Sequence, residues 1–193
     1  MCERNLYLVR HGYHDSGDVS ELGGSLTPLG VEQSQIVAKR LKSLPITAIH
    51  SSNLLRAIET ATIIQHELRL KAIQQSSDLA ECLVSLPPSL IARAPHLSAV
   101  SPEIIESGKR QAERAFNRYF IQSADVDVHE VIVCHGNIIR YFVCRALNLP
   151  LDVWPDLETA NCGITQICIG PKRISLCCLN DTGHLPSSLV MYI

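Results

Sequence analysis

The sequence is missing the features that mark most specialised chain classes. No apolar run approaches the ~18–20 residues of a membrane-spanning helix. No block of like charge occurs, and the formal net charge of -2 offers no basic field for nucleic acid. There is no internal repeat, linker or low-complexity segment, so residues 1–193 read as a single domain. The eight cysteines include no Cys-x-x-Cys pair, which removes the zinc-knuckle and redox-motif readings. Cys134, Cys144, Cys168 and Cys177 sit in apolar segments, where a free thiol packs as a small hydrophobe. Reduced thiols point to the cytoplasm. Met1 to Asn5 leads almost at once into the first strand, which leaves no room for a signal peptide, and a cytoplasmic location is expected.

What is present is the composition of a folded enzyme-sized domain. The chain has 193 residues, 46% of them hydrophobic and 19% charged. That is enough apolar material for a substantial core, and far from a disordered composition.

Strand-like and helix-like segments alternate, which predicts an α/β domain with a mostly parallel sheet flanked by helices in three layers. The first strand is Asn5–Val9, followed by a polar loop from His14 to Ser25. Thr27 reads as an N-cap with Pro28 in the first helical position. Leu29, Ile36, Val37, Leu41 and Leu44 share one face of that helix, and Pro45 ends it. Ile46–His50 reads as a second strand, with Ser51-Ser52 as a turn or cap. Leu54, Ala57, Ile58, Ala61, Ile64 and Leu68 then mark a second amphipathic helix. Lys71–Gln75 is a weak third strand. Residues 82–100 carry no steady period and read as an irregular excursion with one short helix, the kind of segment that acts as a lid or sets specificity. From Pro102, Ile105, Gly108, Ala112, Ala115, Phe116 and Tyr119 form a helical face. Glu130–Cys134 is a second very apolar strand, and Ile138, Phe142, Val143 and Ala146 point inward from the helix after it. Gly163–Ile169 and Arg173–Leu179, around a turn at Gly170-Pro171, predict an antiparallel C-terminal hairpin.

The reactive residues fall at the ends of these strands. Arg10 and His11 follow the first, Arg56 opens the helix after the second, Glu81 follows the third and His135 the fourth. Ligands bind beyond the carboxyl ends of strands in such sheets, so all of these reach the same edge. Their types suit phosphoryl transfer. A neutral imidazole at His11 can attack phosphorus, and Arg10 and Arg56 can fork onto phosphate oxygens. His135, if protonated, adds a donor, and the turn amides at Gly12 and Gly136 add N–H groups. Glu81, with its pKa raised by its surroundings, can protonate the leaving oxygen and then activate water.

Each residue also has a plainer reading. His11 alone could be an ordinary hydrogen-bonded histidine, and Arg56 with Glu59 a surface pair on a helix. Asp78 competes with Glu81 for the acid role. Cys134 and His135 are strand neighbours that point to opposite faces, so they cannot easily act together. His14, His50, His66, His96, His129 and His184 read as surface or supporting residues, His14 being the nearest to His11 in sequence.

Four blocks in order decide among these readings. Arg10-His11-Gly12, Leu26 to Gly30, Ser51 to Thr60, and Cys134 to Asn137 with Arg140 together resemble the histidine phosphatase superfamily, which includes the cofactor-dependent phosphoglycerate mutases. Within it, His135 to Leu147, Asn161 to Thr165 and Leu179 to Pro186 are similar to members that act as protein Ser/Thr phosphatases. The resemblance implies a phosphoglycerate mutase-like fold and a metal-independent phosphomonoester hydrolase that works through a phosphohistidine on His11. Arg10, Arg56 and His135 would form the phosphate pocket, and Glu81 would be the proton donor. It implies no metal and no cofactor. A phosphorylated protein is the expected substrate, with a small phosphate ester as the alternative, and no nucleic acid or membrane partner. A homodimer is the one assembly left open. A phosphate-binding regulator with little catalysis is the alternative of another class. Tyr13 to Gly17 departs from the mutase pattern, and the chain lacks the extra length that mutases use to enclose a bisphosphate, so mutase activity is not expected.

Overall fold

The computed structural model describes residues 3–15, 17 and 23–192. Cys2 and half of the polar loop expected from His14 to Ser25 lie outside the described residues. Six strands form one sheet: β1 (Arg4–Arg10), β2 (Ala48–Ser52), β3 (Ile73–Ser76), β4 (Val128–Cys134), β5 (Ile164–Ile169) and β6 (Ile174–Asp181). Their spatial order is β3-β2-β4-β1-β5-β6. The first four run parallel, while β5 and β6 are antiparallel, as the hairpin reading predicts. Among the described residues, five α-helices connect and cover them: α1 (Pro28–Leu41), α2 (Leu55–Leu68), α3 (Pro88–Arg93), α4 (Pro102–Tyr119) and α5 (Gly136–Ala146).

The sheet is central because its middle strands are apolar on both faces. From β1, Leu6 and Leu8 face a core shared with Ala112, Ala115 and Phe116 of α4 and with Ile138 and Phe142 of α5. Tyr7 and Val9 face the opposite core, with Val37 and Leu41 of α1 and Ala57, Ala61 and Ile64 of α2. Three layers result. Arg10 and Cys134 end their strands in register with each other, so the residues that follow both leave the sheet at one edge.

Helix ends follow local chemistry. Thr27 caps α1 by accepting the Gly30 N–H at 3.2 Å, and Pro28 takes the first turn. The buried face of α1 is rotated from the predicted one. Gly30, Gln33, Ser34, Val37, Ala38 and Leu41 are buried, while Leu29, Ile36 and Leu44 are only partly covered. The polar pair is tolerated because its hydrogen bonds are made inside. Ser34 donates to the Gly30 carbonyl at 2.7 Å, and Gln33 donates to the Leu189 carbonyl at 2.7 Å.

Three other expectations shift. β2 runs on through Ser51 and Ser52, both buried and paired to neighbouring strands, where a turn was expected. β3 lies slightly later than Lys71–Gln75. Cys177 is exposed and Cys168 only half-buried, because both sit on the edge hairpin; Cys134 and Cys144 are core residues as expected. The excursion at 82–100 contains α3 and a 3-10 turn, Pro95–Ala99. Trp154 ties it down by donating to the Ser85 hydroxyl at 2.7 Å, and Arg93 pairs with Asp156 at 2.8 Å. No helix among the described residues is long and apolar enough to cross a membrane.

Candidate active site

The end of β1 is fixed on every side. His11 N–H donates to the Cys134 carbonyl at 3.0 Å, and Cys162 N–H donates to the Arg10 carbonyl at 2.9 Å. The Asn161 side chain donates to the His11 carbonyl at 2.9 Å. Gly12 leaves no space for a side chain: a Cβ there would meet the Gly30 carbonyl oxygen at 2.5 Å and Ser34 Oγ at 2.9 Å. Close approach of the chain, not backbone freedom, demands this glycine.

The imidazole of His11 is buried and oriented. Its Nδ1 lies 2.8 Å from the Gly12 carbonyl, which can only accept, so Nδ1 carries the proton. Nε2 is then the lone-pair nitrogen, and Arg56 Nε–H points at it from 3.1 Å. Burial drives the His11 pKa well below its ordinary value, and His135, Arg10 and Arg56 push the same way. The ring is therefore neutral at neutral pH, with its basic nitrogen turned toward a cation.

Arg10 is buried at the end of β1. Nη1 donates to the Thr159 carbonyl at 2.7 Å, and Nε has no hydrogen-bond partner among the described residues. Burial lowers its pKa and Glu81 opposes that, but a guanidinium stays charged. Arg56, in the first turn of α2, faces the same space. The surface-pair reading fails, because Glu59 instead accepts the Leu26 N–H at 2.6 Å.

His135 is buried between β4 and α5, its ring centre 5.0 Å from that of His11. Its Nε2 shares a hydrogen bond with Ser52 Oγ at 2.8 Å, and Nδ1 is buried without a partner among the described residues. Burial, Arg56 and Arg10 together drive its pKa well below the ordinary value, so the resting ring is neutral. The protonated donor considered from sequence is not the resting state. Gly136 opens α5 against Arg10, where a Cβ would stand 3.6 Å from Arg10 Nε and 3.0 Å from Thr159 Oγ1. The Gly12 amide is a correction. It donates to Thr60 Oγ1 at 3.0 Å and is not free for a phosphate.

Glu81 stands at the rim. Its side chain reaches solvent, yet the protein around it raises its pKa, against the pull of Arg10, Arg56 and the Asn137 N–H. Oε1 accepts that N–H at 3.2 Å. Asp78, the competing acid, is held away by Arg114, which donates Nε and Nη2 to Oδ1 at 3.1 and 2.8 Å. All five side chains predicted from sequence thus gather at one edge. Sequence reasoning missed Ser52, Thr60, Thr159 and Asn161, which hold the reactive groups through hydroxyls, carbonyls and an amide; Ser52, Thr60 and Asn161 lay in stretches already marked by resemblance, and Thr159 did not. Among the described residues, no group of three or more His, Cys, Asp or Glu side chains is placed to hold a metal ion.

Comparison with known proteins gives the same picture. The Caenorhabditis elegans mitochondrial serine/threonine-protein phosphatase Pgam5 is 37% identical over 196 residues, covering 98% of this chain and 66% of the relative. The human mitochondrial serine/threonine-protein phosphatase PGAM5 is 39% identical over 195 residues, covering 95% and 64%. The chain spans just under two thirds of the length of these relatives. A phosphoglycerate mutase structure from Plasmodium falciparum matches at a TM-score of 0.67 and 28% identity over 100% of both chains, so the fold is phosphoglycerate mutase-like. The cytoplasmic expectation is overturned, because these curated relatives are mitochondrial proteins. Free thiols report a reducing environment and do not tell one reducing compartment from another. The family model described as histidine phosphatase superfamily (branch 1) matches residues 6–85 and 92–182, with its gap inside the excursion. A match from the first strand through the last, over a cluster of two arginines and two histidines, leaves one assignment: the chain belongs to the histidine phosphatase superfamily, branch 1.

Proposed function

We propose that this chain is a phosphomonoester hydrolase working through a phosphohistidine on His11, with phosphorylated Ser or Thr of a protein as its substrate. The observation that carries the reading is the His11 tautomer. The Gly12 carbonyl holds the proton on Nδ1, so Nε2 is unprotonated and faces Arg56 across 3.1 Å. A phosphoryl group entering there takes the guanidinium from Nε2 and frees the nucleophile.

In the first step Nε2 forms a bond to phosphorus as the ester P–O bond breaks, and Glu81 gives its proton to the leaving oxygen. In the second, Glu81 takes a proton from water as the water oxygen attacks phosphorus and the P–N bond breaks. Arg10 and Arg56 meet the negative charge on the equatorial oxygens, and the N–H groups of His135 and the start of α5 complete the pocket. Residues 82–100, tied down at Ser85 and Arg93, form the specificity wall of one catalytic domain. The choice of a phosphoprotein rests on the serine/threonine-protein phosphatase relatives.

The test is trapping with a 32P-labelled phosphopeptide and an alkaline quench, since P–N bonds survive base and fail in acid. Label on the wild-type chain that maps to His11, and its loss in His11→Ala, is the expected result. Label that persists in His11→Ala sinks the mechanism. A panel of phosphopeptides against small phosphate esters decides the substrate class. The likeness to a phosphoglycerate mutase keeps a second reading in view, and a bisphosphate-dependent isomerisation assay decides it.

A further inference from the structure

A third histidine lies in the site, and the mechanism above leaves it unused. The ring of His14 stands edge-on to that of His11, with centres 4.9 Å apart. Its backbone is held firmly. His14 forms an isolated antiparallel bridge with Leu26. On either side, Asp15 N–H donates to the Ser25 carbonyl at 2.9 Å, and Thr27 N–H donates to the Tyr13 carbonyl at 3.0 Å. Nδ1 of the His14 ring is buried and has no hydrogen-bond partner among the described residues. A buried, unpaired ring nitrogen is costly unless a ligand completes it.

We propose that His14 is a proton-accepting ligand of the substrate phosphoryl group, neutral in the empty site and protonated when a tetrahedral dianion is bound beside His11. This rests on the phosphohydrolase reading and adds to it a proton-linked binding step. The proton comes from solvent, and no covalent bond is made or broken.

The charges around the ring set the sign. From β1 it faces Arg10 and His11, from α2 Arg56, from the start of α5 His135, and on its own loop Asp15. Partial burial, then Arg56 and Arg10, lower its pKa, and Asp15 alone opposes them. With no anion present, a further positive charge among two arginines is unfavourable, so the ring is neutral at pH 7. A dianion placed between these cations reverses the balance and raises the His14 pKa. Proton uptake on binding is then greatest between the pKa of the free site and that of the complex. It vanishes below the first, where the ring is already charged, and above the second, where it stays neutral.

Tungstate is the probe, because it is a tetrahedral dianion that does not itself titrate near neutral pH. Calorimetric titration at pH 7.5 in two buffers of different ionisation enthalpy counts the protons taken up. The wild-type chain is expected to take up more protons than His14→Gln, by an amount approaching one per site, and to bind roughly tenfold or more tightly. His14→Lys carries its charge beforehand, so it should keep the affinity while losing the same uptake. Equal uptake and equal affinity in all three chains overturn the role of His14 and leave the phosphate pocket standing. Failure of the wild-type chain to bind tungstate at all overturns the pocket and His14 together. Each variant is checked for a native fold by its near-UV circular dichroism, and His14→Lys, a change at a partly exposed position, keeps the test decisive should His14→Gln unfold.

Discussion

At the scale of single residues, the site sets a neutral imidazole, His11, among the cations Arg10 and Arg56. Arg56 serves twice. It donates to Nε2 of His11 at 3.1 Å, and in the proposed mechanism it turns to the phosphoryl oxygens. Arg56→Ala is therefore expected to lower kcat by about 10²–10³, the usual loss when one transition-state donor is removed. Arg56→Lys should recover little of it, since an ammonium cannot reproduce the planar fork. Steady-state kinetics on both variants, with KM followed separately, check this. Glu81 makes a prediction about leaving groups. Its raised pKa keeps a fraction of it protonated further toward neutral pH than an ordinary carboxylate. An alkoxide leaving group needs that proton, and a nitrophenolate does not. Glu81→Gln should thus slow phosphoserine peptides strongly and leave the first step with p-nitrophenyl phosphate almost unchanged. On the wild-type chain, the rate with alkyl esters should fall as pH rises through the Glu81 pKa, because the acid form is lost. Burst kinetics with both substrates read the two steps apart.

At the scale of elements, the sequence shows β1, β4, α4 and α5 plainly and hides the end of β2 and the face of α1. The first group was legible because its apolar residues are buried by packing alone, which leaves a clean period. Ser51 and Ser52 read as a turn, since nothing local says that both backbones pair with β3 and that Ser51 pairs with β4 as well. Their hydroxyls are satisfied by the Ser52 carbonyl at 2.8 Å and by His135 at 2.8 Å, partners far apart in kind and invisible before folding. The same holds for Gln33 and Ser34. The five reactive side chains were legible because strand ends fix where they go, whereas the residues that hold them, Thr60 and Asn161 among them, are defined only by contact. The junction of the β1 loop with α1 gives a prediction at this scale. A Cβ on Gly30 would run into the Tyr13 carbonyl, which is held in place by the Thr27 N–H at 3.0 Å and hydroxyl at 3.3 Å. Gly30→Ala should cost about 1–3 kcal/mol, the range for overpacking a fixed site. It should also lower kcat, because the displaced loop carries His11. Urea unfolding and single-turnover rates on one preparation test both.

At the scale of the whole molecule, the site makes stability depend on pH. His11 and His135 are buried, and both have pKa values well below the ordinary histidine value of 6.5. In the unfolded chain they bind protons as pH falls through about 6.5, and in the folded chain they do not. The unfolded state then holds more protons, so stability falls on acidification. Each histidine contributes a slope of up to about 1.4 kcal/mol per pH unit, starting at about pH 6.5. Glu81 has the opposite sign. Its folded pKa is raised above 4.5, so between the two values the folded state holds the extra proton, and acidification stabilises it. The carboxylates held low by partners, Glu113 beside Arg145 and Glu130 beside His50 and Arg4, add their own loss only as pH falls below about 4.5. The windows overlap, because the histidine slope runs from about pH 6.5 down to the lowered folded pKa values, so the origin of each slope is read by removing the groups in turn. Between pH 7.5 and 5.5, the wild-type chain should lose Tm steadily, and His11→Asn with His135→Asn should flatten most of that loss. Glu81→Gln should steepen the loss as pH falls toward about 4.5, because the variant lacks the Glu81 offset. A double variant whose Tm falls as steeply as the wild type over pH 7.5 to 5.5 would show that the two active-site histidines titrate normally in the folded chain, and the neutral-nucleophile account of His11 would go with them.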